Sequence, residues 1–100
     1  MPTNRLRPIH PGEILREEYL KPSGLSVNAL SQMLHVPATR INDIVLERRG
    51  VTPDTALRLA AFFGGDAHSW LNLQQAYDLK TTEAKVGNKI AEEVQPFERE

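Results

Sequence analysis

Apolar residues in this chain recur at helical spacing and are punctuated by residues that start or stop helices, with no strand-like alternation. Between Leu25 and Leu46 two short segments of this kind stand back to back. In the first, Leu30, Met33 and Leu34 fall at i, i+3, i+4. In the second, Val36, Ile41, Ile44 and Val45 keep helical spacing, so each segment predicts a helix with one buried stripe. Ser26 is placed to cap the first. Pro37 suits the first turn of the second, where its missing N–H has no intrahelical partner to lose. Two helices joined by so tight a break form the arrangement that can push the second into a DNA major groove.

The flanking pattern extends this to an all-α chain of about five helices. Residues 1–9 are polar, basic and Pro-containing, which predicts a flexible arm. A first helix is expected from Pro11 to Leu20, with Glu13 near the positive end of its dipole and Ile14, Leu15 and Tyr19 inward. Pro22 and Gly24 stop it. After a loop from Glu47 to Val51, a helix over Pro53–Phe63 is capped by Thr52 and turns Ala56, Leu59, Ala60 and Phe63 to one side. Gly64 and Gly65 end it. A last helix from Ala67 to Lys80, led by Asp66, carries Trp70, Leu71, Leu73 and Tyr77 over more than one stripe. Phe62, Phe63, Trp70 and Tyr77 read most simply as core aromatics. A second apolar face on a terminal helix also predicts an interface, for which Trp70, Leu73 and Tyr77 are the candidate homodimer contacts. From Thr81 the chain is polar, with Val86, Ile90 and Val94 every four residues. Residues 81–100 are therefore expected to be a marginal helix or a disordered acidic tail behind a DNA-binding domain at 10–80.

A chain of 100 residues supports one modest core and leaves little room for an elaborate catalytic pocket. The absence of cysteine excludes a disulfide frame, a thiolate nucleophile and a cysteine zinc site. The opening MPTNRLRPIHP lacks the apolar centre of a signal peptide and no run approaches a membrane span, so a cytoplasmic protein without a membrane partner is expected. The net charge of −1 hides an asymmetry. Through Gly50 there are seven Lys and Arg against five acids, +2, and from Val51 five against eight, −3. A weakly basic first half can hold phosphates, but so small a charge favours a dimer reading two half-sites. The acidic end suits a basic protein partner, or both halves are solvated surface.

The outer face of the second central segment presents Ala38, Thr39, Arg40, Asn42 and Asp43. Arg40 can bind guanine O6 and N7, and Asn42 can bind adenine. Thr39 can meet a thymine methyl or a phosphate, with the small Ala38 fitting against a methyl. Asp43 can accept from cytosine or orient a neighbouring arginine. Ser26, Asn28, Arg48 and Arg49 flank this face as candidate phosphate contacts. A solvated helix face and an ordinary basic turn are the alternative readings. His10 and Glu13 have the spacing of a metal pair but lack a third ligand, and the intervening Pro11-Gly12 reads as a helix start in which Glu13 serves the exposed N–H groups. His35 and His68 stand near no nucleophile or carboxylate at a telling spacing. No catalytic residue, metal or cofactor is predicted, and the chain is not expected to be an enzyme.

Four stretches in order, PIHPGEIL from Pro8, LSVNALSQMLHVPATRINDIV from Leu25, RRGVTPDTALRLAAFFG from Arg48 and WLNLQQAYDL from Trp70, resemble the HigA (also called VapI) family of antitoxins with an XRE-type, Cro-like helix-turn-helix. The resemblance spans nearly all of residues 8–80. It implies a lambda-repressor-like domain that dimerises, binds a palindromic operator in its own promoter and neutralises a HigB-type toxin that cuts mRNA on the ribosome. By position, the family's recognition helix falls on Pro37 to Leu46, its groove-facing residues on Ala38, Thr39, Arg40, Asn42 and Asp43, and its phosphate loop on Arg48 and Arg49. Two departures stand out. Leu46-Glu47 occupies a turn that is often Asn-Gly-like in the family, and His35 stands where the helix-turn-helix class usually has glycine, which requires a left-handed histidine. A stand-alone XRE-type regulator would carry much the same residues. A helical protein-interaction module without a DNA role is the further alternative.

Overall fold

The computed structural model describes residues 7–98, and its regular structure is helical throughout. The first helix, α1, is α-helical over Pro11–Ile14, widens to a π-helix over Leu15–Leu20 and returns to α over Lys21–Ser23. It is followed by α2 (Val27–Leu34), α3 (Ala38–Val45), α4 (Pro53–Phe63) and α5 (Ala67–Glu93). The all-α class, the number of helices and their order are those the periodicity predicts.

Local chemistry explains where most of them begin. The Ser26 hydroxyl accepts the Ala29 N–H at 3.0 Å, Thr52 the Thr55 N–H at 3.4 Å, and the Asp66 carboxylate the Ser69 N–H at 2.8 Å, each satisfying a donor that the first turn leaves without an intrahelical partner. Pro37 stands at the cap position just before α3 rather than inside its first turn, because its ψ of 143° is still extended. The start of α1 differs from expectation. His10, 3% exposed, caps it by accepting the Gly12 N–H on Nδ1 at 2.8 Å, while the Glu13 carboxylate turns outward to two hydrogen bonds from Arg7, at 2.9 and 3.0 Å. Of the arm expected at 1–9, residues 1–6 lie outside the described residues. Arg7 is tied to Glu13, and Pro8 and Ile9 are half-buried.

Two helices run past their expected ends. α1 continues through Pro22 to Ser23 because its π turn takes the Lys21 N–H five residues back to the Arg16 carbonyl, shifting the ladder just before the residue that lacks a donor. Gly24, at φ 74°, ends it. α5 continues beyond Lys80 to Glu93, since Lys80, Ala84, Lys85, Lys89, Ala91 and Glu92 favour the helix and propagation from an established helix adds a hydrogen bond per residue.

The core draws on every helix. Leu15, Leu30, Ile41, Ile44, Ala56 and Leu59 are fully buried, joined by Leu20, Leu34, Val45, Val51 and Trp70. Met33, expected inward, is 57% exposed. The inner face of α2 is centred on Leu30, Ser31 and Leu34, and Ser31 tolerates burial by donating its hydroxyl to the Asn28 carbonyl at 2.8 Å. Phe62 also faces outward, whereas Phe63 stacks on Tyr19, which in turn meets Trp70 with ring centroids 5.3 Å apart. Trp70, at 4% exposure, is thereby committed to the core of its own chain. Leu73 packs partly against the same core, and Tyr77 against the edge of His10. The large apolar side chains that α5 leaves exposed are Leu79 and Ile90, with Val94 and Phe97 beyond its end.

Gly12 is where α1 meets the backbone of α3. It is buried, and a Cβ there would overlap the Ile44 carbonyl, an atom that cannot rotate away. Gly12→Ala is expected to destabilise the fold by about 3 kcal/mol, read as a lower urea midpoint, because overpacking against main chain has no rotamer escape. His10 gives a pH signature. Burial penalises its imidazolium and lowers its pKa below the ordinary 6.5, with the carboxylates of Glu47 and Asp78 opposing the shift without reversing it. The unfolded chain therefore takes up the proton first as pH falls. The contribution is fully present above 6.5 and is lost as pH falls through the lowered folded value. The urea midpoint should drop as pH falls below 6.5, and His10→Asn, which keeps an acceptor for the Gly12 N–H, should flatten that drop.

Candidate nucleic-acid interface

α2 and α3 are joined by a turn in which His35 takes φ 59°, ψ 46°. This is the left-handed conformation that glycine adopts freely and that costs another residue about 1 kcal/mol. The turn is closed by the His35 N–H on the Gln32 carbonyl and the Val36 N–H on the Ser31 carbonyl, at 3.2 and 3.0 Å. Two arginines lock the C-terminal ends of the two helices. Arg58 of α4 donates Nη1 to the Leu34 carbonyl at 2.8 Å, and Arg16 of α1 donates Nη1 to the Val45 carbonyl at 2.5 Å, so the last turns of both helices gain a cation at the negative end of their dipoles. Neither arginine stands out in the sequence. Their partners are main-chain carbonyls 29 and 24 residues away, and no pattern of side chains signals such a contact.

With Ile41, Ile44 and Val45 buried, α3 turns its opposite face outward. Ala38, Thr39 and Asn42 share one shallow depression with Ser26, Val27 and Asn28 at the start of α2. Five of the predicted DNA contacts thus converge on one surface. Thr39, Asn42, Ser26 and Asn28 are exposed there, and Ser26, while accepting the Ala29 N–H, keeps its own hydroxyl proton to donate.

The other predicted contacts are arranged as paired charges. The Asp43 carboxylate lies 3.8 Å from Arg48 and 3.5 Å from Arg49, so of its two expected roles the structure provides the partner for orienting arginines. Arg40 points away from the Ser26 depression and donates Nη1 to Asp54 Oδ2 at 2.6 Å. The same oxygen accepts Arg58 Nε at 2.9 Å. These hydrogen bonds, from Arg58 and then from Arg40, hold the Asp54 carboxyl below its usual range, so it is charged at neutral pH. Arg40, Arg48, Arg49 and Arg58 against Asp43 and Asp54 leave this face with a surplus of two positive charges.

The loop after α3 turns on Glu47, at φ 64°, one of the two positions at which the sequence departs from the family's Asn-Gly-like turn. The Arg48 and Arg49 N–H groups both reach the Asp43 carbonyl, at 2.8 and 3.3 Å, which fixes the loop while its guanidinium groups stay largely exposed. From the far side, Gln74 of α5 accepts the Val51 N–H at 2.7 Å, and its amide packs so closely on Gly50 that a Cβ there would collide with it. Gln74 carries no sequence signal for this contact. Among the described residues no cluster of three or more His, Cys, Asp or Glu could hold a metal ion, and no helix is long and apolar enough to cross a membrane.

Known proteins share this organisation. The helix-turn-helix family pattern matches residues 17–69. Virulence-associated protein I of Dichelobacter nodosus is 68% identical over 80 residues, covering 80% of this chain and 74% of that protein. Antitoxin HigA-1 of Vibrio cholerae is 35% identical over 83 residues, 82% of this chain and 77% of that one. The solved structure of Pseudomonas aeruginosa antitoxin HigA with the higBA promoter superposes with a TM-score of 0.90 at 47% identity, covering 92% of this chain and all of the other. Such proteins are DNA-binding regulators rather than enzymes. The chain belongs to the XRE-type helix-turn-helix family that includes the HigA antitoxins and virulence-associated protein I.

Proposed function

We propose that this chain acts in the cytoplasm as a homodimeric antitoxin that binds a palindromic operator in its own promoter, represses its operon and neutralises an mRNA-cleaving HigB-type toxin. The observation that carries the DNA half of this reading is the single exposed depression shared by the start of α2 and the outer face of α3, flanked by the arginine loop. With the buried stripe of α3 facing the core, its first turns enter a major groove. Thr39 and Asn42 reach base edges there, Asn42 in the two-bond geometry suited to adenine, and Ala38 admits a thymine methyl. Ser26 and Asn28 hold a phosphate at one rim, and Arg48 and Arg49 hold phosphates at the other. Asp43 serves those arginines instead of reading cytosine. The Pseudomonas aeruginosa relative solved with its promoter, and antitoxin GraA solved with its operator, support carrying this docking to the present chain.

A surplus of two charges on the face of one subunit gives weak sequence-independent binding, which is why two subunits on two half-sites are needed. The second subunit is expected against α5. Leu73 and Tyr77 are half-buried there and Leu79 and Ile90 exposed, on a helix of 27 residues. The acidic surplus from Val51 onward favours a basic toxin as partner.

A gel shift on the DNA upstream of the gene, with scrambled DNA as competitor, tests the operator half. Asn42→Ala should cost about 1–3 kcal/mol on the upstream DNA and little on the scrambled sequence, whereas Arg48→Ala should weaken both and reduce the salt slope by about 1. Equal losses from both variants would remove the base-reading role. Footprinting should find protected half-sites roughly 34 Å apart, or a multiple of that. Co-purification of a small basic protein encoded beside this gene is the expected sign of the toxin, and its absence would leave a stand-alone regulator.

A further inference from the structure

Arg40, the longest side chain on the outer face of α3, is held before any DNA arrives. Its guanidinium gives Nη1 to Asp54 Oδ2, and among the described residues its Nε and Nη2 make no other hydrogen bond. Asp54 is held in turn. It stands in the first turn of α4, and the oxygen that accepts from Arg40 also accepts from Arg58, whose Nη1 donates to the Leu34 carbonyl at the end of α2. A relay of hydrogen bonds therefore runs from the frame of the helix-turn-helix to the tip of Arg40, along one side of a polar depression that Arg49, Gly50, Thr52 and Thr55 also line. The Arg40 side chain is 30% exposed and that of Asp54 56%, so the pair is open to solvent beside the depression that holds Thr39 and Asn42.

An exposed ion pair adds little to stability, so its geometry matters more than its strength. A free arginine on this surface would sample many rotamers and close on whichever phosphate it met, independent of sequence. Tethered by one arm, the guanidinium keeps its plane and reach while an edge remains for the two acceptors of guanine. The carboxylate also neutralises one of two adjacent cations and repels the phosphate backbone of any duplex, which only a base contact by Arg40 offsets.

Resting on the operator-binding reading above, we infer that Asp54, which itself touches no base, is the positioning residue that sets sequence specificity by holding Arg40 for base contact and withholding it from phosphates.

Affinities for the upstream DNA and for a scrambled duplex of equal length, each at several salt concentrations, test this in the wild type, Asp54→Asn, Arg40→Ala and the double variant. Asp54→Asn is expected to tighten scrambled-DNA binding about threefold to tenfold, to steepen its salt slope by about 1 for each phosphate newly bound, and to lower the ratio of specific to scrambled affinity about tenfold. In the Arg40→Ala background the same substitution should leave that ratio unchanged within about twofold, because the residue through which it acts is gone. A merely structural role would lower the urea midpoint without moving the ratio. Should Asp54→Asn fail to fold, Asp54→Glu carries the same double-variant comparison, since a carboxylate displaced by one methylene should lower the ratio only where Arg40 is present. A wild type that discriminates beside an Asp54→Asn variant that discriminates equally well overturns the inference alone. So does a fall in ratio that persists without Arg40. A wild type that binds both duplexes equally overturns the operator reading and this inference together.

Discussion

Everything this molecule presents to a partner depends on the complete burial of Ile41 and Ile44. Their helix, α3, has eight residues, too few to be stable in water by itself, so it exists where and as it does because one face is taken up by the core. Those two side chains share one buried cluster with Leu15, Leu30 and Leu59 from three other helices, all with no exposed surface. The close seating of Gly12 against the Ile44 carbonyl adds a backbone contact that fixes how deep α1 sits. The outer face of α3 is then aimed as a consequence of what its inner face must do.

Around that buried stripe the arginines divide into two kinds. Arg16 and Arg58 bind main-chain carbonyls at the ends of α3 and α2, where a cation opposes the dipole and satisfies acceptors that a helix terminus leaves open. Arg40, Arg48 and Arg49 pair with carboxylates on the surface, at distances from 2.6 to 3.8 Å. Because exposed pairs contribute little to folding, the second kind is better understood as presentation. Asp43 and Asp54 stand beside three long cationic side chains while the net charge of the whole chain stays at −1. The low total charge and a DNA-binding surface are compatible because the balance is local.

α5 joins this frame to the rest of the chain. Its first half packs Trp70 into the core, seats Tyr77 on the capping histidine and places Gln74 on the loop that carries the arginines. Its second half extends the molecule with Ile90 exposed. One helix therefore touches both the loop expected to meet DNA and the surface expected to meet another chain.

The sequence by itself determined the elements and the inner faces. Ser26, Thr52 and Asp66 mark helix starts, Gly24 and Gly64 mark ends, and the spacing of Leu30, Ile41, Ile44 and Leu59 marks the core, because capping and amphipathicity are local rules that a chain obeys whatever it packs against. The outer face of α3, and with it the convergence of Thr39, Asn42, Ser26 and Asn28, was legible as a complement of that pattern. Contacts between residues far apart in the chain were not. That His10 rather than Glu13 caps α1, that Met33 faces out and Ser31 in, that Trp70 is used up inside its own chain, and that Arg16, Arg58, Gln74 and Asp54 bond to α3, α2, the loop after α3 and Arg40 were decided by tertiary structure. Each depends on which carbonyl, carboxylate or cavity another helix brings within about 3 Å, and such distances are set only when all five helices have closed on the same core.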